Sequence, residues 1–127
     1  MLSGLQRVLI VDDDALVADT LRMIFDRSGF RSTACYSADQ ALACAREFTP
    51  DLLLCDISMP GRDGFDLVRT MTSELPSCRI LMLTGLYSNL HKVKEHARRL
   101  ARPIRVLIKP CPPNDLLREA NAILAGV

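Results

Sequence analysis

The chain has 127 residues, 49% of them apolar, with four Phe, two Tyr and no Trp. That length fits one domain, 1–127, with a core packed by aliphatic strands and helices. A formal net charge of +1 excludes a global field that would draw the chain onto nucleic acid or membrane. No apolar run approaches the ~20 residues of a bilayer span, and the N-terminus, MLSGLQR, lacks the apolar stretch of a secretion signal. A soluble, cytoplasmic protein is expected.

The first element is an apolar strand over 8–11, followed by Asp12, Asp13 and Asp14. A helix over 14–28 follows, with Val17, Thr20, Leu21 and Ile24 on one face and Ala15, Ala18, Asp19 and Arg22 on the other. Gly29 is its stop. The stretch 31–36 is mixed in polarity, as an edge strand would be. Residues 38–48 form the second helix, ending before Pro50. A second fully apolar strand, 52–55, leads to Asp56. The third helix opens at Asp63, a good N-cap, and runs to about Leu75, with Pro76 beyond it. The strand 80–83 leads to Thr84. A fourth helix is expected over 88–101, with Leu90, Val93, Ala97 and Leu100 on one face. The strand 106–108 leads to Lys109, and the last helix begins near Pro112 and Pro113, since proline suits a first turn.

Strand and helix therefore alternate five times. Continuous apolar strands imply a parallel sheet covered on both faces, with right-handed crossovers and helices on both sides. In such sheets chemistry collects beyond the carboxyl ends of the strands. Those ends carry Asp12, Asp13, Asp56, Thr84 and Lys109. Crowded carboxylates repel unless a cation neutralises them. Oxygen ligands without His or Cys favour Mg²⁺, for which Mn²⁺ could substitute.

Each residue also has a plainer reading. Asp14 caps the first helix. Lys109 could be a structural salt bridge to one of the aspartates. Asp13 and Asp56 are harder to dismiss, because each follows a strongly apolar strand where an unpaired charge is penalised. The five cysteines, Cys35, Cys44, Cys55, Cys78 and Cys111, form no C-x-x-C pair and are odd in number. They read as small core hydrophobes rather than a disulfide framework or zinc site, with only Cys111 placed in a loop.

The motifs VLIVDDD (8–14), DLLLCDISMPGRDGFDL (51–67), LMLTG (81–85) and IKP (108–110) resemble those of response-regulator receiver domains along essentially the whole chain. The resemblance implies a flavodoxin-like α/β/α sandwich with sheet order 2-1-3-4-5 and five helices. It implies that Asp56 is the phosphoacceptor, and that Asp13, Asp56 and the backbone carbonyl of Ser58 bind the metal, with Asp12 acting mainly through water. Thr84 would hydrogen-bond the phosphoryl group and Lys109 would pair with its oxygen. The Lys109–Pro110 bond is cis in similar proteins. Phosphoryl would come from a sensor histidine kinase or a histidine phosphotransfer protein, with kinase specificity partly on the first helix around Ala15, Ala18 and Arg22. Ser58 and Leu86 flank the approach of hydrolytic water in similar proteins, and a bulky Leu86 would hinder it.

The sequence departs from the family in three places. Val106 stands where Tyr or Phe usually changes rotamer with the threonine, so an altered switch is expected there. The stretch between Thr84 and Lys109 is longer than usual, and Arg102 and Pro103 replace a Gly-Ala. That stretch is also basic, through Lys92, Lys94, Arg98, Arg99, Arg102 and Arg105, with Glu95 opposing. A solvated helix face is the plain reading; the alternative is an acidic docking partner, an unknown output domain or target protein. Without interleaved aromatics, direct nucleic-acid binding is disfavoured.

Other function classes fit less well. A haloacid-dehalogenase-type phosphatase needs an aspartate two residues after its nucleophile, where this chain has Ser58. A flavodoxin-like electron carrier needs a phosphate-cradling loop after the first strand, where three carboxylates stand instead. A receiver kept only as a protein-binding module is opposed by the intact rim residues. The expectation is a signalling switch rather than an enzyme, either stand-alone or part of a longer regulator or hybrid kinase.

Overall fold

Five segments, four of them largely apolar and one mixed, form one parallel sheet: β1 (Arg7–Val11), β2 (Arg31–Cys35), β3 (Leu52–Asp56), β4 (Arg79–Thr84) and β5 (Arg105–Ile108). The computed structural model describes residues 4–57, 64–85, 95 and 104–126. The strand order is β2-β1-β3-β4-β5, as expected. β3 is buried along its whole length and β1 and β4 along all but their first residue. β2 and β5, at the edges, are mostly half-buried, which is why 31–36 reads as mixed in sequence.

Alternation along each strand builds two separate cores. Leu9, Val11, Leu53, Cys55 and Met82 point toward α2 (Ala38–Phe48) and α3 (Gly64–Glu74), meeting Ala41, Ala45, Leu67 and Met71. Val8, Ile10, Leu52, Leu54, Leu81 and Leu83 point the other way, toward α1 (Ala15–Arg27) and α4 (Pro113–Leu124), meeting Ala18, Leu21, Phe25, Leu116 and Ala120. Each fully buried Leu or Phe contributes roughly 1.5–3 kcal/mol relative to exposure. Two such layers explain how a chain without Trp holds a sheet covered on both sides.

The helix ends follow local chemistry. Asp14 caps α1 by accepting from the Leu16 and Val17 amides, and Ser37 caps α2 by accepting from Gln40. Thr49 closes α2 in the left-handed region at φ 47°. Gly29, at φ 95°, follows α1 where a side chain would be strained.

One face was misassigned from sequence. The buried stripe of α1 is Ala18, Leu21 and Phe25, whereas Thr20 is exposed and Val17 and Ile24 are only partly buried. Ala18 carries little apolar weight, yet its small side chain lets the helix lie close to the sheet. It is fully buried, so it cannot belong to a partner-reading surface with Ala15 and Arg22. The helix expected over 88–101 lies outside the described residues apart from Glu95, which is helical and exposed. The expected cap Asp63 also lies outside them. Among the described residues, no helix is long and apolar enough to cross a membrane.

Candidate functional site

The sheet order brings the ends of β1 and β3 side by side. Val11 is in register with Cys55, so Asp12 and Asp56 leave adjacent strands at the same level. The Asp12 amide donates to the Cys35 carbonyl at 3.1 Å, which continues β1 one residue past its last pair with β2. The Ile57 amide donates to the Leu83 carbonyl at 3.0 Å, fixing Asp56 against the end of β4. Thr84 closes β4 opposite Ile108, and its carbonyl accepts from the Lys109 amide at 2.7 Å. These backbone bonds hold four chemically active residues on four neighbouring strand ends.

Ligand-capable oxygens of Asp12, Asp13 and Asp56 lie within 4.8 Å of one another. Asp12 is 3% exposed and Asp56 9%, while Asp13 faces solvent. The Lys109 ammonium sits 3.3 Å from Asp12 Oδ2 and 3.4 Å from Asp56 Oδ2. Burial pulls the lysine pKa down, but the charges of Asp56 and Asp12 and hydrogen bonds to both outweigh it, and the net shift is upward. Lys109 therefore stays an ammonium across the neutral range. The Lys109–Pro110 peptide bond is cis.

Asp12 has two tasks. Its Oδ1 accepts from the Asp14 amide at 2.9 Å, shaping the turn into α1, while Oδ2 meets Lys109. Asp14 is committed to capping, as its position before α1 suggests. Thr84 is 1% exposed and sits beside this group on β4.

The donor set fits a hard divalent cation. Among the described residues, Lys109 supplies one positive charge against the three carboxylates of Asp12, Asp13 and Asp56. An excess of negative charge remains at a partly desolvated rim, and oxygen donors of this kind are what Mg²⁺ or Mn²⁺ takes. Ser58, whose carbonyl is the further expected ligand, and Leu86 lie outside the described residues.

Val106, in place of an aromatic, pairs with Met82 and packs half-buried against the α2–α3 core. Of the basic stripe, Arg105 is described: it pairs with Glu119 on α4 at 2.9 Å. Lys92, Lys94, Arg98, Arg99 and Arg102 lie outside the described residues. Cys111 is half-buried, and burial first, then Asp115 and Glu119, push its thiol pKa up, which suits a packing role.

Gly64 is a site residue whose role sequence patterning did not expose. A Cβ there would lie 2.6 Å from the Asp56 carbonyl oxygen and 3.0 Å from Ile57 Cα. The first turn of α3 thus presses directly on the backbone of the acidic strand end. The sequence signal was the glycine of the Asp63-Gly64 pair, which reads locally as a turn.

Comparison with known proteins agrees with this geometry. Residues 8–121 match the family model of the response regulator receiver domain. The DNA-binding response regulator MtrA of Mycolicibacterium paratuberculosis is 39% identical over 119 residues, covering 94% of this chain and 51% of that protein. Protein PilH of Pseudomonas aeruginosa is 31% identical over 121 residues, covering 94% of this chain and 98% of that protein. This chain thus spans about half the length of MtrA and nearly all of PilH. Among solved structures, a CheY-like response regulator receiver domain protein from Methanospirillum hungatei superposes with a TM-score of 0.87 at 28% identity, covering 97% of this chain and 96% of that one.

Proposed function

The chain belongs to the response regulator receiver domains of two-component signalling, and from that premise we propose that Asp56 is the residue on which it carries the phosphoryl group. Membership makes the domain a signalling switch rather than a conventional enzyme. The observation that supports Asp56 is the convergence of three carboxylates with the Lys109 ammonium at adjoining strand ends.

In the proposed step a carboxylate oxygen of Asp56 attacks phosphorus in line. The new O–P bond forms as the P–N bond to the partner's phosphohistidine breaks, and the imidazole keeps that electron pair. Such transfer depends on positioning and charge neutralisation more than on covalent machinery. Lys109, now shared between Asp12 and Asp56, would turn its ammonium to a phosphoryl oxygen. Thr84 would donate its hydroxyl to another. Asp13, Asp56 and the Ser58 carbonyl would hold Mg²⁺ or Mn²⁺, with Asp12 acting through water. The bound ion would supply neutralising charge for the equatorial oxygens.

The donor would be a sensor histidine kinase or a histidine phosphotransfer protein. The response would be a shift between two populations of the rim, with Thr84 as trigger and an altered relay through Val106. The target is an output domain or separate protein; MtrA is described as DNA-binding and extends well beyond the matched region, so either layout is open to this chain.

Intact mass after incubation with acetyl phosphate and Mg²⁺ tests the reading. The wild type should gain one phosphoryl group only with the divalent ion, and Asp56→Asn should gain none. A lasting lack of adduct in a wild type that still binds Mg²⁺, with no phosphate release from turnover, would leave a protein-binding module as the better account.

A further inference from the structure

β2 ends the sheet on one side and pairs only with β1. A strand in that position presents amides and carbonyls that another chain can take. The Arg31 amide donates to the Gln6 carbonyl at 3.0 Å, and the Cys35 carbonyl accepts from the Asp12 amide at 3.1 Å. Arg31, Thr33 and Cys35 therefore turn their backbone groups toward β1, and the amides of Ser32, Ala34 and Tyr36 point outward.

Side chains from the two flanking helices hold the outward amides at either end of this edge. Asp26, in the last turn of α1, accepts from the Ser32 amide through Oδ1 at 2.9 Å. The Ser32 hydroxyl sits between that same oxygen and the Arg22 carbonyl. Arg22 pairs with the other Asp26 oxygen at 3.0 Å and so steers the carboxylate. Gln40, in the first turn of α2, accepts from the Tyr36 amide through Oε1 at 2.8 Å. Ala34 lies between them, its outward amide held by neither side chain.

We propose that Asp26 and Gln40 guard this edge, and that without them β2 pairs with the β2 of a second copy of the chain. A second copy fits because the edge is self-complementary. In an antiparallel pairing about a two-fold axis at Ala34, Ser32 of each copy meets Tyr36 of the other, and every outward amide finds an outward carbonyl. With the guards in place, the Ser32 and Tyr36 amides are taken in both copies, and only the central Ala34 pair is left to form. Asp26 also presents negative charge to the carbonyls that an incoming strand would bring.

Each bond has a plainer role when taken alone. Asp26 ties the turn after α1, and Gln40 belongs to the cap of α2, where its own amide donates to the Ser37 hydroxyl at 3.1 Å. Those roles account for local stability; they do not account for both side chains ending on outward amides of the same edge strand. The guarded edge also ends at the acidic rim, because the Cys35 carbonyl holds the Asp12 amide. A second copy added there would stand beside the rim, so the guards keep that approach clear.

Sedimentation velocity of the full chain across a wide range of protein concentration tests the proposal, with thermal melts to establish that each variant is folded. Asp26→Ala combined with Gln40→Ala should move from the monomer to the dimer sedimentation value as concentration rises, well before wild type does. Asp26→Ala alone leaves the α2 cap intact and should show the same shift at higher concentration, which keeps the test decisive where the double variant fails to fold. Adding Ala34→Pro removes the central outward amide without touching a bond to β1, and should return the double variant to monomer. In the dimer the Ala34 amide should become protected from hydrogen exchange. Folded variants that sediment as wild type does at every concentration would overturn the proposal. So would a dimer that survives Ala34→Pro.

Discussion

The two ends of the sheet use charge in opposite ways. At the amino end, Arg7 donates its backbone amide to Asp51 Oδ2 at 2.8 Å, and its guanidinium bonds the Phe48 carbonyl at 3.1 Å and the Thr49 hydroxyl at 3.0 Å. Arg79 reaches the Ile123 carbonyl at the end of α4, also at 3.1 Å. Each charge there closes a helix or strand terminus. At the carboxyl end, three carboxylates gather around one described ammonium. Asp51 and Asp56 flank the same five-residue strand, yet one completes the fold and the other adds to a concentration of like charge. Residue type therefore does not distinguish them; what each carboxylate finds to bind does. A charge whose partners are backbone groups is spent on structure, while crowded like charges cost stability that a ligand can recover.

The largest expected effect sharpens the carboxyl end. Gly64→Ala would force a methyl group against the Asp56 carbonyl oxygen, at 2.6 Å in the present backbone. Overpacking against backbone costs about 1–3 kcal/mol, read from urea unfolding, and the displaced strand end should also slow labelling by acetyl phosphate. Wild-type stability and labelling in this variant would show that α3 does not brace the acceptor.

At the amino end, Asp51→Ala would remove the acceptor of the Arg7 amide and should destabilise by about 1 kcal/mol, with phosphoryl uptake unchanged. Asp13→Asn should do the reverse. Without divalent ions it relieves repulsion among the rim carboxylates and raises the melting temperature, while the stabilisation gained on adding Mg²⁺ shrinks. Melting curves of both variants with EDTA and with Mg²⁺ break the comparison if the two respond alike.

The smallest effect is alkaline. Burial first, then the charge of Cys44 and a hydrogen bond to it, push the Cys35 thiol up to about 12 from an ordinary 9.0. The folded state keeps this proton after the unfolded chain has lost it, so the contribution is intact below the ordinary thiol value. Stability should fall as pH rises from there toward the folded value. Cys35→Ala should lose less stability than wild type over that interval in paired denaturant titrations.

Much of this was legible before any coordinates, for a physical reason. β1, β3 and β4 are covered on both faces, so they appear as unbroken apolar runs, and a charge at the end of such a run is conspicuous. Asp12, Asp13, Asp56, Thr84 and Lys109 were found that way, and the structure brings them to one rim. The buried face of α1 was not, because Ala18 packs by smallness rather than hydropathy, and Phe25 lies at the margin of a broad apolar stripe. The Arg7 and Arg79 contacts end on backbone carbonyls, which every residue has and no sequence marks. Gly64 reads as a turn residue until the Asp56 backbone is seen beneath it.

The most direct test locates the phosphoryl group itself. Protein labelled with acetyl phosphate and Mg²⁺ would be reduced with borohydride, which converts an aspartyl phosphate to homoserine, and then sequenced by mass spectrometry. The account predicts homoserine at position 56 and intact aspartate at positions 13 and 51. Homoserine at either of those positions, with Asp56 unchanged, would contradict it.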